Sequence, residues 1–108
     1  MDFDWTKPEK AIAKRAFSLA LDRECKGLIE KVRKRANSIA GVEDLWKLND
    51  YLSKQRKEIY EKYDYRYSVL IFVFARLIIE GWLTEDELEG LADDKMSEIL
   101  LMVRMAEE

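Results

Sequence analysis

"DYRYSVLIFVFARLIIEG", residues 64–81, decides the fold, because it holds the longest apolar run of the chain, Val69 to Ala75. Taken alone, "VLIFVF" suits a buried strand as well as a buried helix, since a run covered on every side shows no periodicity. The length of the whole stretch and the absence of hairpin turns decide for a helix, and Gly81 supplies its stop. Arg76 interrupts the run well short of the ~20 apolar residues that a membrane span needs. The stretch is therefore expected to form a central core helix, with no membrane insertion.

Outward from this core the rest also reads as helix. Upstream, Thr6 and Glu9 have capping-box spacing and Pro8 stands in the first turn, so a first helix begins there and meets no clear stop before Ser38 to Gly41. Its apolar positions Leu21, Cys25, Leu28, Val32, Ala36 and Ile39 step by three or four residues. A helix from Thr6 to Ser38 would be about 50 Å long, against a diameter of roughly 34 Å for a compact chain of this size. Such a helix overhangs its own domain, and its seam needs a cover, most simply a second copy across a two-fold axis. The alternative is that Gly27 divides it into a helix pair packed within the monomer. Glu43 to Tyr63 is expected as a second helix. Downstream, "TEDE" at 84–87 repeats the capping-box spacing ahead of a short acidic helix broken at Gly90, and a last helix runs from Asp93 to Met105.

Composition agrees. With 48% hydrophobic and 38% charged residues among 108, one proline and four glycines, residues 1–108 are expected to form a single all-α domain. The expected architecture is elongated: a long N-terminal helix or helix pair, a central helical hairpin and a small C-terminal helical head, assembled as a homodimer. Residues 1–79 hold 17 Lys and Arg against 12 Asp and Glu, whereas residues 80–108 hold 2 against 10, an asymmetry that orients a protein partner rather than marking a nucleic-acid footprint. The basic run "KVRKRAN" at 31–37 is expected to be a solvated face. A nucleic-acid binder built on it is disfavoured by the acidic C-terminal third and by the lack of a recognition motif.

The chemistry of the side chains narrows the function further. There is no histidine and a single cysteine, Cys25, which leaves no internal disulfide, disfavours a zinc site and fits a reducing, cytoplasmic location. The N-terminal "MDFDWTKPEK" is acidic and has no apolar h-region, unlike a secretory signal. Gly-rich phosphate loops, nucleophile elbows and metal-ligand spacings are absent, and the adjacent Asp93 and Asp94 would point about 100° apart on a helix. The expectation is a binding protein without a cofactor, and not an enzyme.

The surface that binds is sought on "DLWKLNDYLSKQR", residues 44–56. At 100° per residue with Trp46 at zero, Leu45, Leu48, Leu52, Ile59 and Tyr63 fall between about −100° and −160°, an apolar stripe. Trp46, Asn49, Asp50 and Ser53 share the surface beside it, with Arg56 on the boundary. Tryptophan and arginine dominate interface hot spots, and Asp50 can pair with Arg56 within the chain or across a dimer. Equally, Trp46 can widen the buried stripe while Arg56 snorkels over it. Spacing leaves these two readings level.

Residues 44–81 closely resemble the cyanobacterial fluorescence recovery protein family, through the "LWKL" and "KYD.R.SV.IFVFA" elements, and the likeness continues through "REC.GL" at 23–28 and "LADDK" at 91–95. The resemblance implies an all-helical homodimer without pigment that binds the photoactivated, red form of orange carotenoid protein through that protein's C-terminal domain. It implies faster return to the orange form, and so an end to quenching at the phycobilisome, at the periphery of the thylakoid. It further implies partner-binding roles for Trp46, Asn49, Asp50 and Arg56 on the second helix and for Phe72 and Lys95 in the head. Ile29, Leu45, Trp46, Asp50 and Arg56 are implied at the dimer interface. Asn49 departs from the pattern, standing where familiar members have histidine; it donates and accepts hydrogen bonds but takes no positive charge. The alternative implied by that departure is the same dimeric scaffold binding another protein in a host without the carotenoid protein.

Overall fold

The computed structural model describes residues 4–108; residues 1–3, the first part of the acidic N-terminal stretch, lie outside the described residues. Four α-helices follow one another: α1 (Lys7–Asn37), α2 (Val42–Lys62), α3 (Leu70–Ile79) and α4 (Asp93–Glu107), with a single 3₁₀ turn at Glu85–Leu88 before the last. There is no strand among the described residues, so the apolar run is helical as its length requires.

The predicted capping box starts α1: the Thr6 hydroxyl accepts from the Glu9 N–H and the Glu9 carboxylate accepts from the Thr6 N–H at 3.0 Å. The helix runs through Gly27 without a break, so it is one helix and not a pair. Gly27 is there for another reason. A Cβ at this position would lie 3.1 Å from the Trp82 ring, which packs against the helix at that point.

The third helix is shorter than predicted. It begins at Leu70 instead of Asp64, and residues 63–66 lie outside any helix. "YDYRY" alternates, and an extended backbone sends alternate side chains to one side. Tyr63 and Tyr65 both pack edge-on against Phe17 of α1, at centroid distances of 5.4 and 4.9 Å, and Tyr67 sits 5.6 Å from Trp5. Asp64 and Arg66 face the other way and pair with each other. A helix there would keep Tyr63 and Tyr67 on one face but carry Tyr65 to the opposite one, away from Phe17.

At its other end α3 stops as Gly81 predicts. Gly81, with φ +85°, donates to the Ile78 carbonyl and Trp82 to that of Leu77, the paired bonds of a Schellman cap. The predicted acidic helix at 84–87 is only the 3₁₀ turn, although its capping box forms between Thr84 and Glu87. Gly90 then turns the chain with φ +106°, and a Cβ there would meet Ile12 Cδ1 at 2.6 Å. Gly90→Ala strains the backbone while the terminal methyl of Ile12 swings aside, and is expected to cost about 1 to 2 kcal/mol, measurable as a shift of the urea midpoint.

The core lies at one end. Ala13, Ala16 and Ala20 on α1 are fully buried, and their small side chains let α3 approach closely through Leu70, Phe74 and Leu77. Ile99 of α4, with Leu83, Leu88 and Leu91, closes this head. The second half of α1 and all of α2 extend from it as an antiparallel two-helix stalk. The molecule measures 53 × 32 × 22 Å with a radius of gyration of 16.8 Å, above the ~13 Å of a compact chain of this size. The long helix does overhang its domain.

Candidate functional site

Two helices can bury only one strip each against the other, and α2 carries more apolar surface than one strip. Toward α1 it turns Leu48, Tyr51, Gln55 and Ile59, all half-buried, and Lys62, which is buried. The Arg35 guanidinium lies 3.7 Å from the centre of the Tyr51 ring. At the base of the stalk the Lys62 ammonium donates to Glu24 at 2.5 Å and to Glu80 at 2.6 Å, and the Tyr63 hydroxyl donates to Glu24 at 2.8 Å. Burial first, and then that bond to Glu24, push the Tyr63 hydroxyl well above its ordinary range.

This inward strip is not the stripe predicted from apolarity. Leu48 and Ile59 belong to both, but Leu45 is 46% exposed and Leu52 39% exposed. The contact face is turned by about 60° because Tyr51, Gln55 and Lys62 have the reach to pack on α1 and to place their polar ends. Leu45 and Leu52 consequently stay outside the strip packed on α1 and keep a large part of their surface in solvent.

On the same outward side lie the predicted recognition residues. Trp46 is 56% exposed, so it does not widen the buried stripe. Asn49, Asp50, Ser53 and Arg56 are exposed beside it. Of the two ways in which Asp50 can pair with Arg56, the bond within the chain is not made; the Arg56 guanidinium instead lies 5.6 Å from the Tyr60 ring centre. Tyr60 was not singled out by spacing, although it stands one helical turn after Arg56, and both line an apolar groove of ≈ 620 Å³ between α1 and α2. Phe17, Leu21, Cys25 and Leu28 form the α1 wall of that groove. Ile29 is exposed farther along α1.

Phe72 and Lys95 part company. Phe72 projects from α3 into solvent, the exception among buried neighbours on both sides. Lys95, expected at a partner-contacting surface, is instead inside the head, its side chain only 3% exposed. Its ammonium donates to the Asp4 carbonyl at 2.7 Å and pairs with Glu9 at 3.1 Å, and it lies 5.2 Å from the centre of the Trp5 ring. Glu9 also accepts from the Ala92 N–H at 2.9 Å. Burial raises the Glu9 carboxyl, yet the bonds from Ala92, Thr6 and Lys95 outweigh it and hold the group at about 2. Lys95 therefore locks the start of α4 to the start of α1, and direct contact with a partner is not available to it in this arrangement.

The basic run at 31–37 is a solvated face as expected, with Arg33 paired to Glu30 and Arg35 engaged by Tyr51. Among the described residues no group of acidic or cysteine side chains is arranged to hold a metal ion, and no helix is long and apolar enough to cross a membrane.

Residues 5–103 match the family described as photoprotection regulator fluorescence recovery protein. The chain is 46% identical over 101 residues to the fluorescence recovery protein of Synechocystis sp. PCC 6803, covering 94% of this chain and 93% of that protein. Its structure superposes on that of the Fremyella diplosiphon fluorescence recovery protein with a TM-score of 0.89 at 49% identity, covering 94% of this chain and all of the other. The superposition on the solved Synechocystis structure also has a TM-score of 0.89, at 46% identity and with 94% and 99% of the two chains covered.

Proposed function

Because the chain belongs to the fluorescence recovery protein family of photoprotection regulators, we propose that it works as a homodimer that binds photoactivated, red orange carotenoid protein through that protein's C-terminal domain. Binding accelerates return to the orange form and ends carotenoid-dependent quenching at the phycobilisome, on the cytoplasmic side of the thylakoid. No bond is made or broken by the regulator, and no cofactor takes part. A binding protein speeds a conformational change only if it binds the route back, or a compact intermediate, more tightly than the red ground state. The observation that carries this reading is the outward face of α2, where Trp46, Asp50 and Arg56 stand exposed beside an apolar groove, with Arg56 resting over the Tyr60 ring.

The same face has two tasks. Leu45, Leu52 and the groove are apolar and are assigned to the second copy, while Trp46, Asp50 and Arg56 at the margin of that contact can serve the dimer, the partner or both. Phe72 is a second exposed anchor in the head. Dark recovery of photoconverted orange carotenoid protein, timed with and without this protein, tests the proposal. Acceleration is expected, and Trp46→Ala is expected to reduce it about tenfold or more, as for a hot-spot tryptophan worth ~2 kcal/mol. Wild-type protein that leaves recovery unchanged would overturn it. In that case Asn49 favours the second reading, the same dimeric scaffold serving another protein partner, and Asn49→His tests whether this one side chain withholds the activity.

A further inference from the structure

A second groove opens where the head meets the stalk. Lys10 and Lys14 of α1 stand on one side of it, the rings of Phe17, Tyr65 and Tyr67 make its floor, and its volume is ≈ 520 Å³. Neither lysine has a carboxylate partner among the described residues, since the adjacent Glu9 is taken by Lys95. The Lys10 ammonium rests 5.2 Å from the centre of the Tyr67 ring. Burial, and then the neighbouring Tyr67 hydroxyl, push Tyr65 up to about 12. Two cations without carboxylate partners thus stand beside an aromatic floor.

We propose that this groove docks a short acidic segment of the partner protein, with carboxylates on Lys10 and Lys14 and an apolar side chain on the Phe17, Tyr65 and Tyr67 rings. The inference rests on the reading of the chain as a protein-binding regulator. Charge complementarity selects the occupant. Residues 80–108 carry ten acids against two cations, so a long polyanion or an anionic membrane that extends past the groove onto this part of the molecule meets repulsion. A short acidic segment feels only the local charge, because screening confines the field to about 8 Å at physiological salt. Phe17 lines both this groove and the apolar groove of the stalk, so the two adjoin at that ring. From Leu28 to Lys10 they span about 27 Å of α1, and a partner seated at the stalk can continue into the head.

The test uses a fluorescein-labelled peptide of about eight residues alternating glutamate and leucine, long enough at ~3.3 Å per residue to cross the groove. Its lysine–leucine counterpart serves as control. Anisotropy is expected to show binding of the acidic peptide alone, weakened at least about tenfold in a Lys10→Glu/Lys14→Glu double variant and by salt raised from about 50 to about 500 mM. Equal affinity for wild type and double variant, or no preference for the acidic peptide, overturns the proposal. So does a fall in light-scattering mass in the double variant, which assigns the groove to the second copy. If the carotenoid protein is not regulated, the peptide measurement still decides this inference; if its recovery is accelerated while the acidic peptide is ignored, this inference alone fails.

Discussion

Lys95→Met is expected to destabilise the head by about 3 kcal/mol, because removing one member of a buried ion pair strands the other. Methionine keeps most of the length of the chain over Trp5 but leaves the Glu9 carboxylate, 5% exposed, without its cation. The Asp4 carbonyl loses its donor as well. Urea titration at fixed protein concentration measures the change, the concentration being held because assembly and folding are linked. A loss below about 1 kcal/mol would show that the pair is not what holds α4 to α1.

The pH dependence has a definite sign. Glu9 falls from an ordinary 4.5 to about 2 in the folded chain, so its contribution is fully present above about 4.5 and is lost as pH falls from there toward 2. Glu87 follows the same course: its bidentate bond to Arg23, against the cost of burial and with help from Thr84, also holds it at about 2. Wild-type stability should therefore decline below pH 4.5. The gap between wild type and Lys95→Met should narrow over the same interval, because protonated Glu9 no longer needs the ammonium. A gap that stays constant down to about pH 2 would mean that Glu9 does not titrate against Lys95.

The second large effect concerns assembly. Leu45 is 46% exposed in the protomer, so Leu45→Glu leaves the protomer's own packing almost untouched. Across a two-fold axis the substitution enters the interface twice, and each desolvated carboxylate costs on the order of 2 kcal/mol. Association should weaken about 1000-fold, and the light-scattering mass at micromolar concentration should fall from twice 12.8 kDa to 12.8 kDa. Circular dichroism should be unchanged. A wild-type protein already at 12.8 kDa would sink the dimer, and a Leu45→Glu protein that kept the dimer mass would place the interface elsewhere.

The helices that local rules specify were legible to within a residue or so at most ends. Thr6 with Glu9 started α1, Gly81 ended α3, and the long unbroken pattern through residue 37 foretold the overhanging stalk. The start of α3 was not legible, because nothing local forbids a helix through "YDYRY". Phe17, Trp5 and Lys10 draw its alternate rings onto α1, and they lie some fifty residues away in the chain. At the candidate site, Trp46, Asn49, Asp50 and Arg56 are exposed, so Trp46 does not widen the strip packed on α1, one of the two readings that spacing had left level. The outward turn of Leu45 and Leu52 was missed, since apolarity ranks residues by their wish to leave water and not by which neighbour arrives first.

Sequence alone determined the helical class, the elongated shape, the family and the lack of histidine chemistry, because periodicity, caps and side-chain inventory act between near neighbours or are simply present. Tertiary structure decided which strip of α2 is covered, that "YDYRY" is extended, and that Lys95 is a buried lock instead of a surface contact. The ion pair between Glu9 and Lys95 shows why: its members are separated by 86 positions, and no local pattern records a contact that exists only once α1 and α4 have met.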